Sequence, residues 1–189
     1  ANNNIRSIIA SGTTGDLVLK PGWGSEGLAM STITDEPNGA KQVTGMGTCT
    51  DTALVIPAGV TLIATSAFYI KYEIKSLDMG STLTKIGSNA FAYCSGLESI
   101  TFSNVLKTIE SYAFNSCYKL TSITIPSSVT TIAANPFFGC TELETILVDD
   151  GNTVYTSKGK GNQVNAIIEI SSKTLKSGCK NTIIPTSVT

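Results

Sequence analysis

Apolar side chains recur along this chain at a constant step of 23 residues. The step is clearest for four phenylalanines, at Phe68, Phe91, Phe114 and Phe137. The same step links a row of isoleucines, a row of cysteines and a row of leucines: Ile63, Ile86, Ile109, Ile132; Cys94, Cys117, Cys140; and Leu97, Leu120, Leu143. A fixed period of this length indicates a solenoid, in which each repeat forms one small unit that stacks on the next. Because a solenoid displays a long regular surface, the pattern favours binding over catalysis in a single cleft.

Within one repeat, alternation of apolar and polar residues predicts a short strand. Ile100 and Phe102 lie two residues apart and share one face, whereas Ser99 and Thr101 point to the opposite, solvent-facing side. Leu97 comes just before the strand and is expected to point inward. The equivalent positions predict strands at residues 54–56, 77–79, 100–102, 123–125 and 146–148. Stacking would pair them into one parallel sheet with neighbouring strands about 4.8 Å apart.

After each strand, a second apolar cluster predicts a single turn of helix. Ala113, Phe114 and Cys117 have the spacing of one helical face, and Ser111 stands where a helix N-cap would be. The expected fold class is an α/β repeat solenoid, with a parallel sheet on its concave face and helical stubs on its convex face. A β-rich N-terminal cap and a C-terminal β-hairpin insertion are expected to complete this short arc.

The repeat follows the pattern Leu-x-x-Ile-x-Ile-Pro, then Val-x-x-Ile, then Ala-Phe-x-x-Cys-x-x-Leu. It is clearest at residues 120–143, LTSITIPSSVTTIAANPFFGCTEL, although Pro136 replaces the Ala there, and Lys71 replaces the Cys in the first repeat. This pattern resembles the BspA-like leucine-rich repeats of bacterial surface proteins, over about residues 49 to 148. The resemblance implies a secreted or cell-surface protein, whose signal peptide has been removed, that adheres to host proteins such as fibronectin or fibrinogen or to other bacterial surface molecules.

The region before the repeats is punctuated by glycines that separate short apolar runs. Residues 1–50 are expected to form a β-rich cap, with strands at 16–19 and 42–44, that covers the first repeat. Trp23 either packs this cap on the repeats or lies exposed as a contact residue. The first residues have no signal-peptide character, so the chain is read as a mature secreted form or a trimmed one.

The repeats and the region after them make up the rest of the chain. Residues 51–148 are assigned to the leucine-rich repeat solenoid. Residues 149–189 are assigned to a β-hairpin insertion and the start of a further repeat, which the sequence predicts to rejoin the solenoid at 182–184. Within the insertion, short strands are predicted at 153–155, 166–170 and 173–175.

Composition narrows the classes of function. The chain has 13 basic and 14 acidic residues and no basic stripe of the kind that nucleic-acid binders carry. No apolar run of about 18 residues exists, so no membrane span is expected. The absence of histidine excludes His-based triads, His acid–base catalysis and His-ligated metal sites. We therefore expect no enzyme activity, no cofactor and no metal site.

Two features have competing chemical interpretations. Cysteines that recur at the repeat step could form disulfides or hold a metal, but their place in the core pattern favours small buried side chains. Cys49 and Cys179 lie outside that row and are not expected to pair. The run Asp149-Asp150-Gly151-Asn152 lacks the alternating ligands of a calcium loop, so a solvated turn is the better interpretation.

The outward positions of the strands form the candidate partner-binding surface. They are mostly polar and include no aromatic residue: Lys75, Ser76, Asp78, Glu98, Ser99, Thr101, Thr121, Ser122, Thr124, Glu144, Thr145 and Leu147. A concave sheet face is the usual docking surface of a solenoid, although such residues also suit an ordinary solvated sheet. The leading hypothesis is a protein-binding or adhesive surface protein that is a monomer or a weak end-to-end dimer. The alternative is a structural spacer without a ligand.

Overall fold

The computed structural model describes residues 24–33, 40–159 and 162–184, and these residues form a stack of short strands without any helix. The strands are β1 Ala29–Thr32, β2 Lys41–Gly45, β3 Ala53–Val55, β4 Val60–Ile63, β5 Ser76–Asp78, β6 Lys85–Ile86, β7 Ser99–Thr101, β8 Thr108–Ile109, β9 Ser122–Ile125, β10 Thr131–Ile132, β11 Thr145–Val148, β12 Tyr155–Gly159, β13 Asn162–Glu169 and β14 Leu175–Gly178. Each 23-residue repeat makes one coil with three walls. Two walls are strands, and the third is a stretch of consecutive turns.

The first wall contains the strands that the alternating pattern predicts. β3, β5 and β7 pair in parallel so that Leu54, Leu77 and Ile100 are directly opposite one another, which confirms the 23-residue register. β9 and β11 pair in the same way, but β7 and β9 are not paired, so this first sheet comes in two pieces. At the break, Phe102 occupies a position where the other coils carry an aliphatic side chain, and its ring packs edge-on against Phe114.

The second wall is a sheet that the sequence pattern did not predict. β4, β6, β8 and β10 contribute two to four residues each and pair in parallel, coil after coil. β2 continues this second sheet by pairing in parallel with β4, and β1 adds an antiparallel strand outside β2. The predicted strand at 42–44 is thus confirmed as β2, whereas the predicted strand at 16–19 and Trp23 lie outside the described residues.

The core runs along the axis of the stack, between the three walls. Phe68, Phe91, Phe114 and Phe137 are buried and stack face to face, with ring centroids 4.9, 5.3 and 5.4 Å apart. The repeating isoleucines and leucines are buried beside them. Burying one such side chain is worth about 1.5–3 kcal/mol relative to leaving it exposed, so the aligned rows give every coil the same driving force for stacking.

The third wall corrects the prediction of helical stubs. This turn wall, residues 64–72, 87–95, 110–118 and 133–141, consists of successive turns, and the fold is a β-solenoid rather than an α/β one. Each coil holds two residues with positive φ four positions apart, as in Asn89 at 54° and Tyr93 at 62°. A left-handed residue breaks a right-handed helix, because its backbone cannot continue the hydrogen-bond ladder.

Backbone hydrogen bonding explains why this wall forms turns instead of a helix. In the second coil, the N–H groups of Ala90, Ala92 and Cys94 donate to the carbonyl three residues earlier. The intervening N–H groups of Asn89, Phe91 and Tyr93 donate instead to carbonyl oxygens of the next coil, at 2.7 to 3.1 Å. Half of the donors of the segment are thus used to join coils, which an isolated helical turn could not do.

The insertion after the last coil is a three-stranded antiparallel sheet. β13 lies between β12 and β14, and Tyr155, Ile167 and Ala166 are buried at its base. The predicted return to a repeat strand at 182–184 is wrong, since these residues form no strand and the side chains of Ile183 and Ile184 are exposed. The chain returns to the first wall just before them, where the N–H of Lys180 donates to the Leu143 carbonyl at 3.0 Å and the Cys179 sulfur donates to the Glu144 carbonyl at 3.3 Å.

Candidate functional site

The outward positions of the first sheet share one surface, which we call the Ser/Thr face. It consists of the twelve predicted residues: Lys75, Ser76, Asp78, Glu98, Ser99, Thr101, Thr121, Ser122, Thr124, Glu144, Thr145 and Leu147. Ten of them are exposed, and Ser76 and Thr145 are half-buried. Strand pairing aligns Ser76 with Ser99 and Ser122 with Thr145, so this polar row continues from strand to strand within each piece of the sheet.

The charges of the Ser/Thr face are largely balanced by lysines nearby. Lys180 lies 2.7 Å from Glu144, and this hydrogen bond together with the charge of the carboxylate raises the pKa of the lysine. Lys119 lies 3.9 Å from Glu98, and the Asp78 carboxylate accepts the backbone N–H of Gly80 at 2.9 Å. The face is therefore a polar, hydroxyl-rich surface without a strong net field.

The turn wall carries a second exposed surface that the sequence reasoning missed. It is rich in large apolar and aromatic side chains, with Tyr72 67% and Phe138 63% exposed. The full set, which we call the aromatic surface, is Tyr69, Ile70, Tyr72, Tyr93, Tyr112, Tyr118 and Phe138. Tyr69 meets Tyr93 edge to face, and Tyr112 meets Phe138 in the same way. A sequence signal existed, because most of these residues directly flank the buried phenylalanine or cysteine of their coil.

The end of the stack is closed by side chains from the insertion. The Tyr155 hydroxyl accepts the N–H of Ile132, and the Ser157 hydroxyl accepts the N–H of Val148, so each ends a strand that has no further repeat beside it. Buried Asn152 donates to the carbonyl oxygens of Pro126 and Val129 at 2.9 and 3.0 Å. These contacts satisfy backbone groups that the next coil would otherwise bond.

The run from Asp149 to Asn152 is a turn, as the sequence interpretation favoured. Its acidic side chains are bonded within the protein: Asp149 accepts the N–H of Ser127, and Asp150 lies 2.5 Å from the Lys158 ammonium. In the described part of the chain, no group of three or more Cys, Asp or Glu side chains is arranged to hold a metal ion.

The cysteine row is buried, which confirms the core interpretation. Cys94, Cys117 and Cys140 are free thiols, and each sulfur donates to the carbonyl of the phenylalanine 26 residues earlier, at 3.1 to 3.3 Å. Burial raises the pKa of the Cys94 thiol to about 12. The neighbouring Cys140 thiol, and burial, likewise raise the pKa of Cys117. A thiol that burial keeps protonated, as at Cys94, is a poor nucleophile and a poor metal ligand, which fits a structural role in the core.

The described residues show no other candidate site for catalysis or membrane insertion. The residues that the structure describes include no helical segment with the length and hydropathy of a bilayer span. The Ser/Thr face and the aromatic surface are both open, so neither can exclude water from a reacting group as an active site does. Both surfaces suit the recognition of another molecule.

Comparison with known proteins agrees with the geometry. A family model for the BspA type leucine rich repeat region matches residues 47–158, with six copies of the repeat. A leucine-rich repeat protein from Bacteroides capillosus has a similar structure, with a TM-score of 0.56 and 31% identity over 60% of this chain and 90% of that one. No curated protein matches the chain by sequence.

Two further structures share the fold at lower identity. The pneumococcal vaccine antigen PcpA has a TM-score of 0.56 and 22% identity over 69% of this chain, which spans only 32% of PcpA. The leucine-rich repeat protein TpLRR of T. pallidum has a TM-score of 0.52 and 23% identity, over 64% of this chain and 68% of that one. Because the family model covers more than half of the chain, the protein belongs to the BspA-type leucine-rich repeat family.

Proposed function

We propose that this chain is the protein-binding module of a bacterial surface protein and that it docks its partner on the Ser/Thr face. The observation that carries the proposal is the exposure of ten of the twelve outward positions, while the inward rows of the same strands are buried except for the half-buried Ile100 and Phe102. The strands hold these side chains in a fixed register, so a partner meets a preorganised surface and little conformational entropy is lost on binding. Membership of the BspA-type family, whose repeats resemble those of bacterial surface proteins, supports a location at the cell surface.

The aromatic surface is a second candidate for the same function. Tyrosine is enriched among the residues that dominate binding energy at protein interfaces, and five of the seven residues of this surface are tyrosines. Against it, the rings form two separate edge-to-face pairs, Tyr69 with Tyr93 and Tyr112 with Phe138, and so partly cover each other.

Two matched variants separate the candidate surfaces. The first carries Glu98→Lys, Thr101→Arg and Thr124→Arg on the Ser/Thr face, and the second carries Tyr69→Ser, Tyr72→Ser and Tyr93→Ser on the turn wall. All six positions are exposed, so both variants should keep the core and fold. The purified chain and the two variants are tested against an array of host matrix proteins and glycans, with an unrelated solenoid as the background control.

The proposal expects a specific protein hit whose affinity falls at least about tenfold, or 1.4 kcal/mol, in the first variant only. A hit lost only in the second variant would move the docking surface to the turn wall. A chain that binds nothing above the control would instead be a spacer that holds other domains away from the cell.

A further inference from the structure

The last coil presents a row of backbone donors that the other coils use to bind their neighbour. In each of the first three coils, three alternate N–H groups of the turn wall donate to carbonyl oxygens 22 residues later, at 2.7 to 3.2 Å. In the third coil these donors are Tyr112, Phe114 and Ser116. The equivalent N–H groups of the fourth coil belong to Asn135, Phe137 and Gly139. Among the described residues, these three have no hydrogen-bond acceptor.

This row is the open part of an otherwise closed end. The insertion covers the end of the second sheet through Tyr155 and the end of the first sheet through Ser157 and Lys180. On the turn wall, the described residues provide no equivalent cap. Leaving an N–H unpaired is costly where no ligand or water can reach it. Asn135 is exposed, Gly139 is half-buried and Phe137 is buried, but all three line an open groove.

An open groove lies along the row. It has a volume of about 430 Å³, with residues 135–141 of the last turn wall on one side and residues 175–180 on the other. The second side includes β14, which pairs with β13 on one edge only among the strands that the structure describes. A chain lying in this groove would thus have unpaired backbone on both sides of it, which is the arrangement by which a sheet edge captures an added strand.

We infer that this groove binds an uncharged peptide segment of another protein in the turn conformation of residues 111–116, and that the N–H groups of Asn135, Phe137 and Gly139 donate to its alternate carbonyl oxygens. The segment that covers the equivalent donors of an inner coil indicates which side chains such a ligand would carry. The carbonyl oxygens that cover the second coil come from Ser111, Ala113 and Asn115, all with small or uncharged side chains.

The charges and the opposite end of the stack support this occupant. The two lysines that line the groove are already paired, Lys176 with Glu169 and Lys180 with Glu144, so an acidic ligand would have to break existing ion pairs. A second copy is disfavoured because the first coil, whose edge it would have to present, already carries the cap: β2 pairs with β4, and the N–H of Ser25 donates to the Val55 carbonyl oxygen. The groove therefore fits a partner peptide better than a head-to-tail dimer.

Amide exchange measured by NMR tests the inference directly. The probe is an acetylated and amidated peptide, Ser-Tyr-Ala-Phe-Asn-Ser, which copies residues 111–116. In the free chain, the amides of Asn135, Phe137 and Gly139 should exchange fast, whereas the equivalent amides of the third coil should be protected. Adding the peptide should slow exchange at these three amides by about tenfold or more, as new hydrogen bonds protect them. Thr141→Trp, which fills the groove, should abolish the effect, and Ser95→Trp at the equivalent position two coils earlier should not.

Three results would overturn the inference. Exchange that is unchanged at millimolar peptide, or slowed equally in the Thr141→Trp variant, would show that the groove does not bind such a segment. Protection in the free chain that grows with protein concentration would identify a second copy as the occupant. Protection that is present at every concentration without peptide would mean that the chain covers the row itself.

Discussion

The hydroxyl oxygen of Tyr155 accepts the backbone N–H of Ile132, 23 residues earlier, at 2.8 Å. Ile132 belongs to β10, the last strand of the second sheet, so the side chain replaces the backbone acceptor that a following coil would supply. The phenol is buried, with only 3% of Tyr155 exposed. The end of the second sheet is therefore closed by one side-chain oxygen, at the position that a further repeat would occupy.

Tyr155→Phe should lower the free energy of unfolding by about 1–3 kcal/mol, because the buried N–H of Ile132 loses its acceptor while the ring remains. Urea unfolding followed by circular dichroism measures this change. Tyr72→Phe is the matched control, since Tyr72 is 67% exposed and should change stability little. An equal effect of the two substitutions would contradict the role of Tyr155 as an end cap.

Asn152→Ala should destabilise the junction between the last coil and the insertion by about 3 kcal/mol, because several buried backbone groups lose their partner at once. The side chain donates to Pro126 and Val129 and accepts the N–H groups of Val154 and Tyr155. Thermal unfolding of this variant can be compared with that of Asn104→Ala in an exposed turn. The prediction fails if the two melting temperatures are the same.

Ile70→Gly should stabilise the chain by about 1 kcal/mol, since a left-handed backbone costs an L-residue about 1–2 kcal/mol and glycine almost nothing. Ile70 has a φ of 60° and its side chain is half exposed, and the equivalent residue of the fourth coil is Gly139 with a φ of 73°. Val105→Gly, at an exposed residue without positive φ, should destabilise instead. A loss of stability in Ile70→Gly, measured by urea unfolding, would argue against strain at this position.

Thiol labelling should distinguish the cysteine row from the insertion. Cys179 is half-buried, whereas the other four cysteines are buried, so a thiol reagent at pH 8 should modify Cys179 quickly and the others only after unfolding. Mass spectrometry of the native and the denatured chain counts the labelled sites. Rapid native labelling of Cys94 or Cys117 would show that the core row opens to solvent.

The free energy of unfolding should fall at alkaline pH, in part because of Cys94. Burial raises the pKa of this thiol from 9.0 to about 12, so between these values the unfolded chain loses a proton that the folded chain keeps. Stability from this group is thus complete below pH 9 and is lost as the pH rises towards 12. In urea titrations, Cys94→Ala should show a weaker decline over this range than the parent chain. Parallel declines would contradict a buried, protonated thiol.

The repeat pattern predicted the first sheet, the buried rows and the exposure of most of the Ser/Thr face. This worked because every coil places equivalent residues in the same environment, so a period of 23 residues reports three-dimensional neighbours directly. Alternation by two then separated the buried and the exposed side of each strand, as for Leu77 against Ser76 and Asp78. The aromatic residues of the turn wall are also visible in the sequence, but their tyrosines occupy different positions in the repeat and so form no periodic row.

The turn wall could not be predicted from local spacing. Ala113, Phe114 and Cys117 fit one face of a helical turn as well as they fit the wall that forms. The choice depends on whether alternate N–H groups bond within the segment or to the next coil, and only the stacking of coils brings those carbonyl oxygens within 2.7 to 3.2 Å.

By itself, the sequence determined that the chain is a stack of equivalent coils with a phenylalanine column at its centre, because burial of repeated apolar rows requires only the period. The tertiary structure decided how the stack ends. Tyr155, Ser157 and Lys180 close two walls through contacts with residues outside their own strand, whereas the donors at Asn135, Phe137 and Gly139 meet no acceptor in the part of the chain that the structure describes. Such contacts join the repeats to a segment that does not follow the repeat pattern, so the 23-residue period could not predict them.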